Sequence, residues 1–370
     1  MNKRYFDVII IGAGVSGLIL AYEISKRTNK SIAILEKEKK NNSSKNLCFW
    51  NTPHNILTKE ADNKWKRISV VIDGKKKTLE DKKINYLRIK STKLRNFFLK
   101  KLKKKGVKIF NEKVLSIDFE SSEQISVISH MFHYNSSLLF DSRMKGFIDK
   151  KNKLFQHFYG VEVNFKKKVM NVDEVILMDI QKKKNTFNFM YILPYTNRRA
   201  LIETTYFSKK LHSKNTYMKD IKKYLSVEFS GLEYNIKFSE SGVIPMFKFD
   251  KLNFKNYSKI GTPGNWVKQS TGYSLQNSFI YSKQLVDCIL EEKTLQTNVS
   301  FLTEFLDRVY CNFLKNNPDD SKQFFEKFFL RNNLRTIAKF LTNSANNWEI
   351  FKIILSLPKI KLMKSLIKDR

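Results

Sequence analysis

The chain's patterning predicts an α/β protein: a Rossmann-type dinucleotide-binding fold, a mixed-sheet second domain and a helical C-terminal region. Three observations carry that prediction. The segment up to Glu36 runs strand, glycine turn, helix, strand, acid; a second glycine cluster returns at Ile260–Gly264; and from about Ser300 the apolar residues fall at helical spacing. At 370 residues the chain can bury a large core in one composite domain or a few packed ones.

Val8–Ile11 is a continuous β-branched run ending at glycine, the pattern of a strand buried on both faces. Gly12-Ala13-Gly14-Val15-Ser16-Gly17 opens a helix over Leu18–Lys26 with Gly17, Leu20, Ala21 and Ile24 on one face, and Ser31–Leu35 is the next strand, ending in Glu36. A basic loop, Lys37–Lys45, leads to Cys48-Phe49-Trp50. Alternation such as Arg67–Asp73 marks strands between Trp65 and Asp81. Ser91–Lys105 is a basic amphipathic helix carrying Leu94, Phe97, Phe98 and Leu102, followed by strands Val107–Phe110 and Val114–Phe119. Strand-rich sequence continues to about Lys251, which predicts a mixed sheet layered on the nucleotide domain, and Gly272–Leu290 is the next helix. The nucleotide domain is thus expected to be discontinuous. Residues 1–80 form its first part and 256–295 its return segment; 81–255 complete it and form the substrate sheet; 296–370 are basic amphipathic helices.

The glycines have separate tasks. Gly12 permits the tight turn, Gly14 lets a pyrophosphate approach the backbone, and Gly17 lets helix and strand pack closely, with the helix N-terminus facing the phosphates. Glu36, 19 residues after Gly17, is placed to accept hydrogen bonds from ribose hydroxyls, and an acid there favours FAD or NAD over a 2′-phosphorylated cofactor. The motif's N-terminal position and the later glycine cluster favour FAD, in the glutathione-reductase-like form of the fold.

The formal net charge of +34, from 69 Lys+Arg against 35 Asp+Glu, predicts an anionic partner. Only 12 of the 69 are Arg, leaving 57 Lys, whereas readers of base edges rely on the bidentate Arg fork. The charge therefore fits an anionic lipid surface, at about 1 kcal/mol for each cation near it, better than a nucleic acid; a lysine-biased composition explains part of it equally well. Cys48, Cys288 and Cys311 have no paired spacing, which argues against a disulfide framework or a zinc site and fits a reducing compartment. No stretch reaches the roughly 18 apolar residues of a spanning helix, and the first apolar run is too short for a signal-peptide core. The expected location is cytoplasmic, with peripheral attachment to the inner face of the cell membrane. Phe324, Phe325, Phe328, Phe329, Leu334, Ile337, Phe340 and Leu341, interleaved with Lys322, Lys327, Arg331, Arg335 and Lys339, suit membrane docking; they equally suit a helical cap over the core with a solvated basic face.

KNLCFW (Lys45–Trp50), FDSR (Phe140–Arg143), FQHFYGVEV (Phe155–Val163), LMDI (Leu177–Ile180), FNFMYILP (Phe187–Pro194), RALIETTYFS (Arg199–Ser208), ESGVIPM (Glu240–Met246), IGTPGNWVKQSTGY (Ile260–Tyr273), FLDRVY (Phe305–Tyr310) and SLPKI (Ser356–Ile360) follow one another in the order of a known family's blocks. On these segments the chain resembles, over essentially its whole length, the flavoprotein lycopene cyclases of carotenoid biosynthesis. It departs from them in three places. Lys45-Asn46-Leu47 stands for the family's R-T-W, Asn265 for the second glycine of a pair, and Thr204 where many members carry a second acid.

The resemblance implies FAD as cofactor, active in its reduced form, with NAD(P)H as the source of flavin reduction. It implies lycopene as lipophilic substrate and a redox-neutral isomerase, an intramolecular lyase called lycopene β-cyclase, which closes ψ-end groups to β-ionone rings and gives γ-carotene and β-carotene. Membrane lipid and other carotenoid-pathway enzymes are the expected partners. Protonating an isolated alkene needs an acid that is still protonated near neutral pH, so burial must raise its carboxyl, and a reduced flavin would stabilise the cationic transition state. Glu203, flanked by Ile202, Thr204 and Thr205 in an apolar strand, suits the role; the residues alone also allow an exposed strand carboxylate or an ion pair with Arg198 or Arg199. The expected catalytic residues are Glu203 and Asp179, with Glu240 in a comparable apolar context as a further proton acceptor or orienting group and His157 as a core residue. The expected cofactor-binding residues are Gly12, Ala13, Gly14, Val15, Ser16, Gly17, Glu36, Lys37, Val114, Gly261, Lys268, Ser270, Thr271 and Gly272, and no metal site is expected. Ser270 and Thr271 also suit helix capping. Two other readings compete: a flavin monooxygenase or prenyl reductase of the same fold, and a basic nucleotide-binding protein retained as a membrane-surface scaffold.

Overall fold

Each apolar run finds the partner its pattern requires in the computed structural model, which describes residues 3–37, 44–51, 56–121, 124–144, 152–250, 253–359 and 361–362. Most of the expected basic loop and the end of the basic tail lie outside the described residues. Lys3–Ile11 is central in the first sheet. It pairs in parallel with Ile32–Leu35 on one side and His133–Asp141 on the other, and the parallel order extends to Lys108–Phe110 and Tyr257–Lys259. Val8, Ile9 and Ile10 are fully buried, as a strand covered on both faces should be. The helix Val15–Arg27 packs on one face with Ser91–Lys104 and Leu275–Leu290, around Leu18, Ile24, Phe98 and Leu285. An antiparallel meander, Val114–Phe119, Ile125–Ser129 and His133–Asp141, adjoins the sheet.

The second sheet has seven strands in the order Tyr234–Pro245, Phe155–Phe165, Arg199–Ser208, Phe187–Pro194, Glu174–Gln181, Arg67–Ile72, Lys75–Glu80. Every neighbouring pair is antiparallel except Glu174–Gln181 with Arg67–Ile72. Residues 67–80 thus belong to this sheet and not to the first part of the nucleotide domain, which corrects the boundary expected at residue 80. The reason is the partner strand: Arg67–Ile72 pairs with Glu174–Gln181, and Ile68 and Val70 turn one side into a core shared with Val175 and Leu177. The helix Lys214–Glu228 covers one face of this sheet, around Val161, Ile202, Tyr217 and Ile221. The helices Phe301–Asn316, Ser321–Leu330, Leu334–Leu341 and Asn347–Ser356 face the other. Phe324, Phe325, Phe328 and Phe329 are buried there, with the Phe325 ring stacked on Phe187 at 4.7 Å, so this run acts as a cap over the core. A small sheet, Asn46–Trp50 with Tyr86–Lys90 and Asn63–Trp65, is the third.

Candidate active site

The glycine turn is built as its spacing requires. Gly12 has φ +101°, and a Cβ there would stand 2.2 Å from Ser142 Oγ, which donates to the Ile11 carbonyl at 2.6 Å. A Cβ on Gly17 would stand 2.1 Å from the Gly12 carbonyl oxygen. Gly14 differs: nothing lies within 4 Å of its Cβ position, so this backbone faces open space that a pyrophosphate can approach. Glu36 is buried at the strand end and its Oε2 accepts the Ala13 N–H at 2.7 Å. Ser16 Oγ lies 3.1 Å from Ser278 Oγ and 3.2 Å from the Cβ position of Gly261, so the return segment meets the turn. Val15 starts the helix, Val114 is buried at the start of the meander, and Lys37 is exposed just past the second strand. This cradle fits a dinucleotide. Sequence reasoning missed Arg95, whose Nη1 donates to the Ala13 carbonyl at 2.8 Å and sets a guanidinium beside the turn; its signal was the single Arg among the lysines of that helix.

A cavity of about 720 Å³ lies between the seven-stranded sheet and the C-terminal helices. Its wall is mostly apolar, and Glu203, Thr205, Glu240 and Asn46 are among its few polar groups. Strand alternation places Glu203. Leu201, Glu203, Thr205 and Phe207 face the cavity, while Ala200, Ile202 and Tyr206 pack toward the helix Lys214–Glu228. Burial drives the Glu203 carboxyl well above the usual carboxylate range and the nearby Glu240 adds to this; the Thr205 hydroxyl, donating to Oε1 at 2.8 Å, opposes it. Arg199 pairs with Glu162 at 3.0 Å, and Glu203 is only 7% exposed, which removes both the edge-carboxylate and the Arg199 ion-pair readings.

Glu240 shares the cavity. Its Oε2 accepts the Asn46 backbone N–H and its Oε1 the Asn46 side-chain Nδ2, each at 2.9 Å, while Arg88 Nη1 donates to Asn46 Oδ1 at 2.7 Å. Burial raises the Glu240 carboxyl, and the Asn46 hydrogen bonds work against that.

Asp179 is not part of this group. Its carboxylate accepts the Tyr224 hydroxyl at 2.8 Å and Gln181 Nε2 at 3.1 Å, and Tyr224 belongs to the helix covering the opposite face. The register shifts between Ile176 and Asp179, so that Leu177 and Met178 both line the cavity and Asp179 is delivered to the far side. His157 is a buried core residue on that side, bonded to the Tyr217 hydroxyl at 2.5 Å and Ser208 Oγ at 2.8 Å, and burial lowers it to about 4.

The return segment also departs from expectation. Lys268 Nζ and Ser270 Oγ both bond to Asp307 Oδ1, at 2.8 and 2.6 Å, so these two side chains anchor the loop to the helix Phe301–Asn316. The N–H groups of Thr271 and Gly272 donate to the Lys268 carbonyl at 3.2 and 2.8 Å, closing a tight turn whose Gly272 has φ +74°. Thr271 and Gly272 line the cavity, but the helix starts only at Leu275 and has no side-chain cap. Asn265 adopts φ +62°, a region Asn tolerates, and its amide bonds both the N–H and the carbonyl of Phe249, which explains how it replaces a glycine. Among the described residues no cluster of His, Cys, Asp and Glu could hold a metal ion.

The model of the family described as lycopene cyclase protein matches residues 7–367, and the chain belongs to that family. A chloroplastic neoxanthin synthase of Solanum lycopersicum is 26% identical over 326 residues, covering 78% of this chain and 61% of that protein. A chromoplastic capsanthin/capsorubin synthase of Capsicum annuum is 26% identical over 314 residues, covering 79% and 62%. The chain therefore spans about three-fifths of the length of these relatives. Among solved structures, a geranylgeranyl bacteriochlorophyll reductase-like protein of Thermoplasma acidophilum matches with a TM-score of 0.71 at 12% identity, over 98% of this chain and 99% of that one. The flavin-dependent brominase Bmp2 matches with a TM-score of 0.62 at 13% identity over 99% of both chains. These are likenesses of fold.

Proposed function

We propose that this member of the lycopene cyclase family is a FAD-dependent lycopene β-cyclase, in which Glu203 protonates a ψ-end group of lycopene and the end group closes to a β-ionone ring without net redox change. The observation that carries the proposal is a buried carboxyl, its proton affinity raised by that burial, set in the wall of an apolar cavity that Thr271 and Gly272 of the return segment also line. The relatives named for making neoxanthin and capsanthin/capsorubin support a carotenoid substrate.

A carboxyl at its ordinary value of 4.5 would be ionised near neutral pH and useless toward an alkene; Glu203, desolvated and facing Glu240, keeps its proton until the alkene π-electrons take it. The new C–H bond leaves a tertiary cation, which the neighbouring double bond attacks. Phe158, Phe189 and Phe207 stand in the same wall, where a ring face turned to that charge would stabilise it, and the apolar lining disfavours the water that would trap it as an alcohol. Loss of a ring proton restores the double bond. The Gly12–Gly17 turn and Glu36 are the residues proposed to hold FAD, which in reduced, anionic form would supply a fixed negative charge to this site, with NAD(P)H as the source of its electrons.

A long hydrocarbon has to be collected from lipid. The helix Asn347–Ser356 contributes Ile353 and Ile354 to the cavity wall and leaves Trp348, Phe351 and Leu355 exposed, with Lys352 Nζ 5.4 Å from the Trp348 ring centroid. On a chain of net charge +34, this apolar and basic face suits peripheral docking on an anionic membrane.

The test is turnover by the purified protein on lycopene-loaded vesicles with reductant accounted for. The proposal expects cyclic carotene with NAD(P)H needed only to prime the flavin, and no product from Glu203→Gln although flavin stays bound. Product that consumes NAD(P)H stoichiometrically, with O2 for a monooxygenase or without it for a reductase, would contradict it.

A further inference from the structure

Glu203 and Glu240 lie on the two strands that flank Phe155–Phe165, and both pair with the same residue of it, Gly160. Directly opposed residues of antiparallel strands point to one face, so the two carboxyls leave the sheet at one level, two strand spacings or roughly 10 Å apart at the backbone. Both line the cavity. Between them stands a residue with no side chain: a Cβ on Gly160 would lie 3.1 Å from Glu203 Cβ and 3.3 Å from Glu203 Oε2.

Two carboxyls that line one apolar pocket each disfavour the other's ionisation, and their separate surroundings decide which keeps the proton more firmly. Glu203 accepts one hydrogen bond, from the neutral Thr205 hydroxyl. Glu240 accepts two donors, one on each oxygen, both from Asn46. Arg88 donates to the Asn46 side-chain oxygen Oδ1, which polarises that amide and strengthens donation from its Nδ2, and Lys45 Nζ reaches the Ser241 carbonyl at 3.2 Å. Of the two, Glu240 has the surroundings that favour the carboxylate. Asn46 is also one of the positions where this chain departs from the R-T-W of the family it resembles.

We propose that Asn46 divides the pair: it holds Glu240 as the carboxylate, leaves the proton on Glu203, and makes Glu240 the base that takes up the proton released when the ring is completed. The step balances. Glu203 gives its proton to the alkene carbon; at the end the ring C–H bond breaks, its electron pair becomes the ring double bond, and the proton goes to a Glu240 oxygen. One proton is given and one taken, nothing is oxidised, and passage of the proton from Glu240 back to Glu203 restores the starting state. The base role rests on the cyclase reading, while the division of the pair does not need it.

The test compares wild type, Glu203→Gln and Glu240→Gln, which are near-isosteric. In infrared spectra of the purified proteins at neutral pH, taken as wild type minus variant, the C=O band of one buried protonated carboxyl should vanish in Glu203→Gln and persist in Glu240→Gln. The reverse pattern would overturn the assignment, and because no turnover is involved this arm decides the division even if lycopene is not the substrate. In turnover, Glu240→Gln should lower kcat by about a hundredfold or more at little-changed KM. It should also move the alkaline limb of the pH profile to lower pH, since without the negative neighbour Glu203 releases its proton more easily. Asn46→Ala should lower kcat by a smaller factor. An unchanged kcat and an unmoved alkaline limb in Glu240→Gln would reduce Glu240 to a packing role and overturn its role as base.

Discussion

Glu203→Gln is expected to stabilise the fold while removing the proposed activity. The wild-type carboxyl is almost fully enclosed, with its proton affinity raised first by burial and then by Glu240. In the unfolded chain the same group has its ordinary value of 4.5, so folding near neutral pH has to bring a proton onto it. For as long as the folded carboxyl stays protonated, this costs about 1.36 kcal/mol for each pH unit above its unfolded value. A raised carboxyl means that the folded state binds more protons than the unfolded one. This stabilising share is complete below 4.5 and is lost as pH rises from there through the folded value. Gln has no proton to gain and carries no such loss. At an unfolding entropy of about 2.1 cal/mol/K per residue, the Tm advantage of Glu203→Gln over wild type should therefore grow by about 2 °C for each pH unit above 4.5 over which the folded carboxyl stays protonated. Thermal unfolding followed by circular dichroism across that range measures it. A Tm difference that does not change with pH, or one that moves against the variant as pH rises, would show that Glu203 titrates like an ordinary glutamate and would refute the reasoning.

Gly160→Ala would place a Cβ 3.0 Å from Leu201 Cδ1 and 3.1 Å from Glu203 Cβ; overpacking of this kind costs about 1–3 kcal/mol, and chemical denaturation together with reduced turnover should report it. Gly17→Ala would drive a methyl to 2.1 Å from the Gly12 carbonyl and should abolish flavin absorbance in the purified protein, whereas Gly14→Ala meets nothing within 4 Å and should leave the melting curve intact while weakening flavin binding. Lys268→Met would leave Asp307 buried without its cation, a loss of about 3–5 kcal/mol that thermal unfolding can measure. Replacing Trp348 and Phe351 together by Ala should reduce co-sedimentation with anionic vesicles, with the circular dichroism spectrum unchanged; undiminished binding would contradict docking through that helix.

The parts of the molecule legible in the sequence are those decided over short range. The apolar run Val8–Ile11, the glycine spacing and the acid at position 36 are local, and their burial and Cβ contacts follow directly. Glu203 was also within reach, because period-two alternation along Arg199–Ser208 puts it on one face with Leu201, Thr205 and Phe207. Asp179 was not, since a shift of register next to it reverses its face and leaves no trace in composition. The clamp on Glu240 joins residues 194 positions apart, which no local pattern reports. Alternation identified Arg67–Ile72 as a strand, but its sheet was chosen by pairing with Glu174–Gln181. The phenylalanines of the Ser321–Leu330 helix show helical spacing whether they meet lipid or protein, and only the packing against Phe187 assigns them to the core.

The most direct measurement is the pigment of lycopene-accumulating cells that express this chain. The account predicts a shift from red lycopene to orange-yellow cyclic carotenes with the wild type and none with Glu203→Gln at equal protein and flavin content. Lycopene left unchanged by a folded, flavin-bound wild type, or cyclised equally by both proteins, would contradict it.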